Sequence, residues 1–292
     1  MICRYLFLII VLFAGHEFFA QLPKSDIYSF QLKETSDGLE LYNPTYLTIF
    51  NVGNYNNQVN CIPDNRLSFS SEIEETGQTD IQVLNFNNQT VTNVTASEIN
   101  EFSSNYNPIH QTWYFVTQDD ASIQYLWEYP SGLRKAGNPL FPDISNVGYY
   151  SLIGDMYVAL FLVGEPHELK LYSRDGTFLS FISNDPGRSF AVDKDENLYF
   201  IHKYNDTYWY LKRFNLKEKQ SEIVVKTLPG VEDFALVDNR IFIAGKGSIL
   251  YQFNPSTDAE WLEFVDLQTY NINDIRRVTV CGDKLFLVNE IQ

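Results

Sequence analysis

Short apolar runs separated by Asn, Asp and Gly recur from about residue 25 to the end of the chain, and no long segment carries apolar residues at helical spacing. One of these runs has an aliphatic residue, two variable positions and then an aromatic or aliphatic residue. It occurs six times, at Ile27 to Phe30, Ile81 to Leu84, Leu126 to Tyr129, Leu169 to Tyr172, Leu211 to Phe214 and Leu250 to Phe253. Consecutive copies start 39 to 54 residues apart, close to the interval of roughly 40 to 50 residues expected of four-stranded propeller blades.

A second run keeps step with the first at Leu67 to Phe69, Trp113 to Phe115, Ala159 to Phe161, Leu198 to Phe200, Ile241 to Ile243 and Leu285 to Leu287. Several copies follow a hairpin-forming stretch, as at Pro63 to Arg66, Asp193 to Asn197, Val237 to Arg240 and Cys281 to Lys284, where Asn, Asp and Gly tolerate positive φ. The two registers are offset at the ends of the chain. Ile27 has no partner run before it, and Leu285 has none after it, so residues from about 25 to 47 are expected to complete the blade begun by residues 275 to 290. The expectation is an all-β chain, a six-bladed β-propeller whose ring is closed by N-terminal strands completing the last blade and hiding the sheet edges.

Residues 1–20 fall outside this pattern. Arg4 precedes an apolar run from Tyr5 to Ala14, and the stretch ends at Ala20, the layout of a signal peptide. Glu17 and Phe18 are unusual so close to a cleavage site, which leaves a retained anchor as the alternative. The apolar run is shorter than the about 20 residues a membrane helix needs, and nothing later resembles a span. The domain organisation is therefore read as a leader over 1–20 and a single propeller over 21–292, periplasmic or secreted. Beyond the leader only Cys61 and Cys281 remain, in the first and last repeats. Two buried free thiols are expected, because adjacency of blades does not guarantee the Cα spacing of a bridge; a ring-closing disulfide is the alternative.

A formal net charge of −16 and a pI near 4.6 argue against nucleic acid as a partner. The acidic residues are spread along the chain and read as a solvated surface.

The first blade carries Gly53-Asn-Tyr-Asn-Asn-Gln58, then Pro63-Asp64, Ser68-Phe-Ser70 and Gly77-Gln-Thr-Asp-Ile81. On these residues the chain resembles the TolB-like six-bladed propellers, bacterial envelope proteins with WD-repeat-like motifs. Later stretches are similar too, at Gly164 to Pro166, Gly187-Arg188, Lys226 to Phe234 and Gly245 to Ser248. The sequence departs from the family pattern at Asn65, where the motif has Gly, and in the turns of the last two blades. The resemblance spans residues 25 to 290 and implies an exported, non-enzymatic binding or scaffold protein.

Candidate chemistry is sparse. His110, His167 and His202 fall in three different blades, with no zinc spacing. No Gly-x-Ser-x-Gly elbow is present, and Gly245-Lys-Gly-Ser248 lies between strands, so it reads as a turn instead of a phosphate loop. Asp193 to Asn197 lacks the glycine and distal Glu of a calcium loop. No cofactor is called for by any motif; Ca²⁺ enters only through a competing reading, a lactonase-like hydrolase with an axial metal held by Glu101, Glu232 and Asp233.

In a propeller the innermost strands line the central channel and the loops entering them form its rim. Eight to twelve residues before the second-strand runs lie Asn57, Gln58, Glu101, Ser103, Tyr149, Arg188, Glu232, Asp233 and Arg276, the candidate ligand-binding residues of the channel mouth. Arg188 and Arg276 are placed to grip a carboxylate, or Arg188 and Glu232 form an ion pair between blades. Tyr149, Tyr150, Trp127 and Trp209 either stack on a ligand or fill the wedge between sheets. The expected partner is a protein segment or a small polar ligand.

Overall fold

A computed structural model describes residues 22–36, 38–95, 97–131 and 137–291; the leader expected over residues 1–20 lies outside the described residues. No helix among them is long and apolar enough to cross a membrane. Six four-stranded antiparallel sheets surround one axis. Blade 1 is β3 (Asn56–Ile62), β4 (Arg66–Ile73), β5 (Gln78–Asn85) and β6 (Thr90–Asn93); blade 2 is β7 (Asn100–Asn107), β8 (Thr112–Gln118), β9 (Gln124–Pro130) and β10 (Asn138–Pro139). Blade 3 runs β11 (Val147–Ile153), β12 (Tyr157–Leu162), β13 (Glu168–Ser173) and β14 (Phe178–Asn184), and blade 4 runs β15 (Pro186–Val192), β16 (Leu198–Lys203), β17 (Trp209–Asn215) and β18 (Gln220–Lys226). Blade 5 is β19 (Ala235–Val237), β20 (Ile241–Lys246), β21 (Ile249–Phe253) and β22 (Leu262–Asp266).

Blade 6 is composite. Its inner strands are β23 (Ile275–Cys281) and β24 (Lys284–Glu290), and its outer strands are β1 (Ser25–Thr35) and β2 (Gly38–Tyr46), in the order β23-β24-β1-β2. β1 pairs with β24 from Ser25 opposite Glu290 to Gln31 opposite Lys284. Both expected registers therefore correspond to the second and third strands of the six blades.

Side chains alternate across each strand, and both faces of a blade are covered by its neighbours, so the second strands are largely buried, mostly by apolar residues and in β4 by Ser68, Ser70 and Ser71 beside Leu67 and Phe69. In β20, Phe242 and Ala244 pack toward blade 4 while Ile241 and Ile243 pack toward blade 6. Each of the six inter-blade seams has its own buried cluster; that between blades 6 and 1 joins Ile27, Phe286 and Val288 to Val59, Leu67, Phe69 and Leu84. The turns follow their residue types. Asp238 and Asn239 take φ of 47° and 56° while Arg240 N–H donates to Val237 O at 2.9 Å, a type I′ turn. Asn65 stands at φ 58°, so Asn supplies the left-handed conformation for which the related motif uses Gly.

The expectation of free thiols is corrected: Cys61 and Cys281 form a disulfide, with Cα atoms 5.7 Å apart. β3 and β23 are the innermost strands of adjoining blades, and Thr279 Oγ1 donates to Val59 O between them at 3.1 Å, which fixes the close approach that blade adjacency alone does not guarantee. A polar knot closes the same seam. Fully buried Asn56 donates through Nδ2 to Ser25 O and Asn51 O and accepts from Ser71 Oγ at 2.7 Å. Replacing both cysteines (Cys61→Ser with Cys281→Ser) is expected to lower unfolding free energy by about 2–4 kcal/mol. Denaturant titration tests this; equal midpoints for wild type and variant would show that strand pairing alone closes the ring.

Candidate functional site

The inner strands carry irregularities at matching places. Pairing shifts register between Asn57 and Asn60 in β3, Phe102 and Asn105 in β7, Val147 and Tyr149 in β11, Pro186 and Phe190 in β15, and Ile275 and Arg277 in β23. A bulge turns a side chain out of strict alternation and re-aims it. Here the bulges face the axis. Gln58, Ser103, Tyr149, Arg188, Asp233 and Arg277, one residue from each blade, line a channel cavity of about 440 Å³.

Gln58 and Ser103 adopt φ of 57° and 54°, in the left-handed region that side chains other than Gly, Asn and Asp rarely occupy. Gln58 Oε1 accepts from Ser70 Oγ at 2.8 Å and from Ser103 N–H at 2.7 Å, tying blade 1 to blade 2 across the channel wall. Toward blades 5 and 6 the wall is charged. Arg277 Nη1 lies 3.3 Å from Asp233 Oδ2, and its Nη2 donates to Tyr149 Oη at 3.1 Å. Asp233 Oδ1 accepts from Val278 N–H at 2.8 Å. Burial pushes the Asp233 carboxyl above its ordinary range, against the pull of Arg277, the Val278 amide and Arg188. Burial likewise raises Tyr55, which sits among the same groups. Arg188 has no carboxylate within 4 Å among the described residues, and its buried Nε has no hydrogen-bond partner.

Of the nine residues expected at the mouth, the structure brings Gln58, Ser103, Tyr149, Arg188 and Asp233 together on the channel cavity. Glu232 and Arg276 lie on a smaller adjoining cavity of about 220 Å³, which Arg188, Asp233 and Arg277 also line. Glu232 pairs with Lys203 at 3.2 Å, so the alternative Arg188–Glu232 ion pair is replaced by another partner. Arg276 pairs with Asp274 and Glu290, and its neighbour Arg277, absent from the expected set, reaches the axis. The β23 bulge between Ile275 and Arg277 is the reason, since one extra residue exchanges the faces of adjacent side chains. Asn57 is buried with Oδ1 accepting from Gln58 N–H at 2.8 Å, and it does not line the cavity.

Glu101 is placed elsewhere. It is buried between blades 1 and 2, accepting from Thr95 Oγ1, from Ser97 Oγ at 2.7 Å and from Ile81 N–H. The three carboxylates of the hydrolase reading are not gathered, and no group of three His, Cys, Asp or Glu side chains suited to a metal exists among the described residues. Around Glu101, Gln78 Nε2 donates to Asp80 Oδ1, Ser97 O and Ile99 O, and Thr79 donates to Asn100 Oδ1. The Gly77 to Ile81 motif thus fastens blade 1 to blade 2. Tyr150 serves packing as well, with its hydroxyl donating to Tyr114 O at 2.8 Å.

Burial raises both Glu101 and Asp80. A carboxyl whose folded pKa lies above its unfolded value contributes stability that is full below the unfolded pKa and is lost as pH rises through the folded one. Glu101→Gln, which keeps the acceptor for Thr95 and Ile81, is expected to match or exceed wild-type stability at pH 7.5 and to flatten the decline between pH 4.5 and 7.5. Thermal unfolding across that range checks it; an unchanged slope would remove Glu101 as its source. At the channel, Ser103→Gly relieves a left-handed serine whose buried Oγ has no partner, and is expected to gain about 1 kcal/mol. A loss of stability in denaturant titration would contradict the strain assigned to that bulge.

No family model and no curated protein matches the chain. Solved structures do. The putative TolB from Agrobacterium tumefaciens aligns with a TM-score of 0.65 at 10% identity, covering 93% of this chain and 99% of that one. TolB from Acinetobacter baumannii aligns with a TM-score of 0.58 at 12% identity, over 91% of this chain and 64% of that longer one. In strand order, blade number and ring closure, the chain is a six-bladed β-propeller with the fold of the TolB proteins.

Proposed function

We propose that this chain is an exported, non-enzymatic binding propeller that holds a protein segment or a small polar ligand in its axial channel. The observation that carries the reading is the channel cavity itself, about 440 Å³ in volume and lined by one aimed side chain from every blade, a size typical of ligand pockets. Two of those residues, Gln58 and Ser103, hold a costly backbone conformation to face it, and such strain concentrates where side chains must be aimed.

The side chains present suit binding. No histidine lines the channel: His110 faces Asp155 on the surface, and His167 packs against Phe161. Ser189 is occupied, its hydroxyl donating to Phe234 O at 2.9 Å. A nucleophile with an adjacent base is therefore not assembled among the described residues of the channel wall. The Cys61–Cys281 disulfide supports an oxidising compartment such as the periplasm or the extracellular space, in keeping with the leader read over residues 1–20. The likeness in fold to TolB proteins supports a partner-binding role, and the net charge of −16 speaks against nucleic acid.

Asn60 lines the cavity and is half-buried, so Asn60→Trp would fill the channel without entering an inter-blade core. Native mass spectrometry of the protein after incubation with bacterial envelope extract is expected to show bound species on wild type that are lost or at least tenfold reduced on the variant. The same species on both proteins, or none on either, would refute the channel as the binding site.

A further inference from the structure

Resting on the channel reading, we propose that the group this channel recognises is a carboxylate, held by Arg188 with the Ser103 hydroxyl as a second donor to the same ligand. Buried polar atoms in folded proteins are almost always paired. Among the described residues six such side-chain atoms are not, and two of them, Arg188 Nε and Ser103 Oγ, belong to residues that line the same cavity from different blades. An unpaired buried donor costs stability, and both atoms are closed to solvent, so a small turn of each side chain toward the cavity brings it to a ligand.

The charge balance points the same way. The inner wall carries two guanidinium groups, Arg188 and Arg277, against one buried carboxylate, Asp233, and one exposed one, Asp238. The Asp233 carboxylate is already taken up by Arg277 and the Val278 amide, and the Arg277 fork is divided between Asp233 and Tyr149. Glu232, the neighbouring acid, is paired with Lys203. Arg188 feels the Asp233 charge at longer range but has no carboxylate within 4 Å among the described residues, and it stands at the junction of the two cavities, inside a protein whose overall charge is strongly negative. A fixed positive group in a walled, partly desolvated site selects an anion, and the planar guanidinium fork matches a carboxylate in two-point geometry. Ser103 lies on blade 2 and Arg188 on blade 4, so the ligand reaches across the channel, with its carboxylate at Arg188 and an acceptor at Ser103. A peptide C-terminus and a free hydroxy or keto acid both offer this pair of groups.

The test uses the disulfide-bonded protein and thermal unfolding, because a ligand that binds only the folded state raises its midpoint. Probes are N-acetylglycine for a peptide terminus, lactate for a free acid, inorganic phosphate, and the uncharged N-acetylglycinamide, each at matched ionic strength. Wild type is expected to be stabilised by N-acetylglycine or lactate and not by the amide, with whichever carboxylate gives the larger shift identifying the source. Arg188→Met should abolish the shift, Arg188→Lys should weaken binding at least tenfold, and Ser103→Ala should weaken it several-fold. Without ligand, Arg188→Met should unfold at the same or a higher temperature than wild type, since it removes an unpaired charge. A lower midpoint would make Arg188 a structural group and overturn the assignment. Equal shifts with the amide, a response to phosphate alone, or no response to any probe would each overturn it too. The loss of bound species on Asn60→Trp is read independently, so channel binding can stand when the carboxylate assignment falls.

Discussion

Everything in this molecule depends on the pairing of β1 with β24. Six sheets in a row would leave the apolar faces of the first and last blades in water and the channel open along one side. Closure buries the cluster formed by Ile27, Phe286 and Val288 against Val59, Leu67 and Phe69, and sets β23 beside β3 so that the sixth wall of the cavity exists. The Asn56 knot and the Cys61–Cys281 bridge add hydrogen bonds and a covalent link at the same seam. A site that draws one residue from each blade is defined only when the ring is complete.

The architecture was legible because the strand period and the blade period are both written in apolar residues. The second strands are largely buried on both faces and each third strand keeps buried apolar anchors such as Leu126, Leu211 and Leu250, so the pattern repeats, and the offset at Ile27 and Leu285 discloses the composite blade. The innermost strands are less legible. They face water in the channel, carry polar residues, and break alternation at bulges whose positions leave no compositional mark. Counting back from the second strand therefore found Arg188 and Tyr149 but selected Arg276 in place of Arg277 and gathered Glu101, which is buried between blades. The paired arginines were the available signal; which of the two faces inward is decided by the bulge. The disulfide was hidden for a related reason, since its Cα spacing depends on how closely β3 and β23 approach.

Stability and recognition pull against each other along the channel. Between blades, polar groups are satisfied in dense networks: Glu101 accepts from Thr95, Ser97 and Ile81, and Gln78 from blade 1 bonds the carbonyls of Ser97 and Ile99. At the axis the wall keeps left-handed Gln58 and Ser103, an unpaired Ser103 hydroxyl and an Arg188 whose Nε has no hydrogen-bond partner. The first arrangement is what polar burial requires for stability. The second is what a wall looks like when its donors are reserved for something outside the chain.

The composite blade also sets an order of events for the chain as it is made. Among the described strands β1 and β2 emerge first, yet the strand that β1 joins, β24, is the last to follow. The opening hairpin must therefore remain an unclaimed sheet edge while five complete blades form behind it, and such edges are where chains associate wrongly. A chain lacking β23 and β24 would have two raw faces and a loose first hairpin, an exposed and readily degraded product instead of a five-bladed ring.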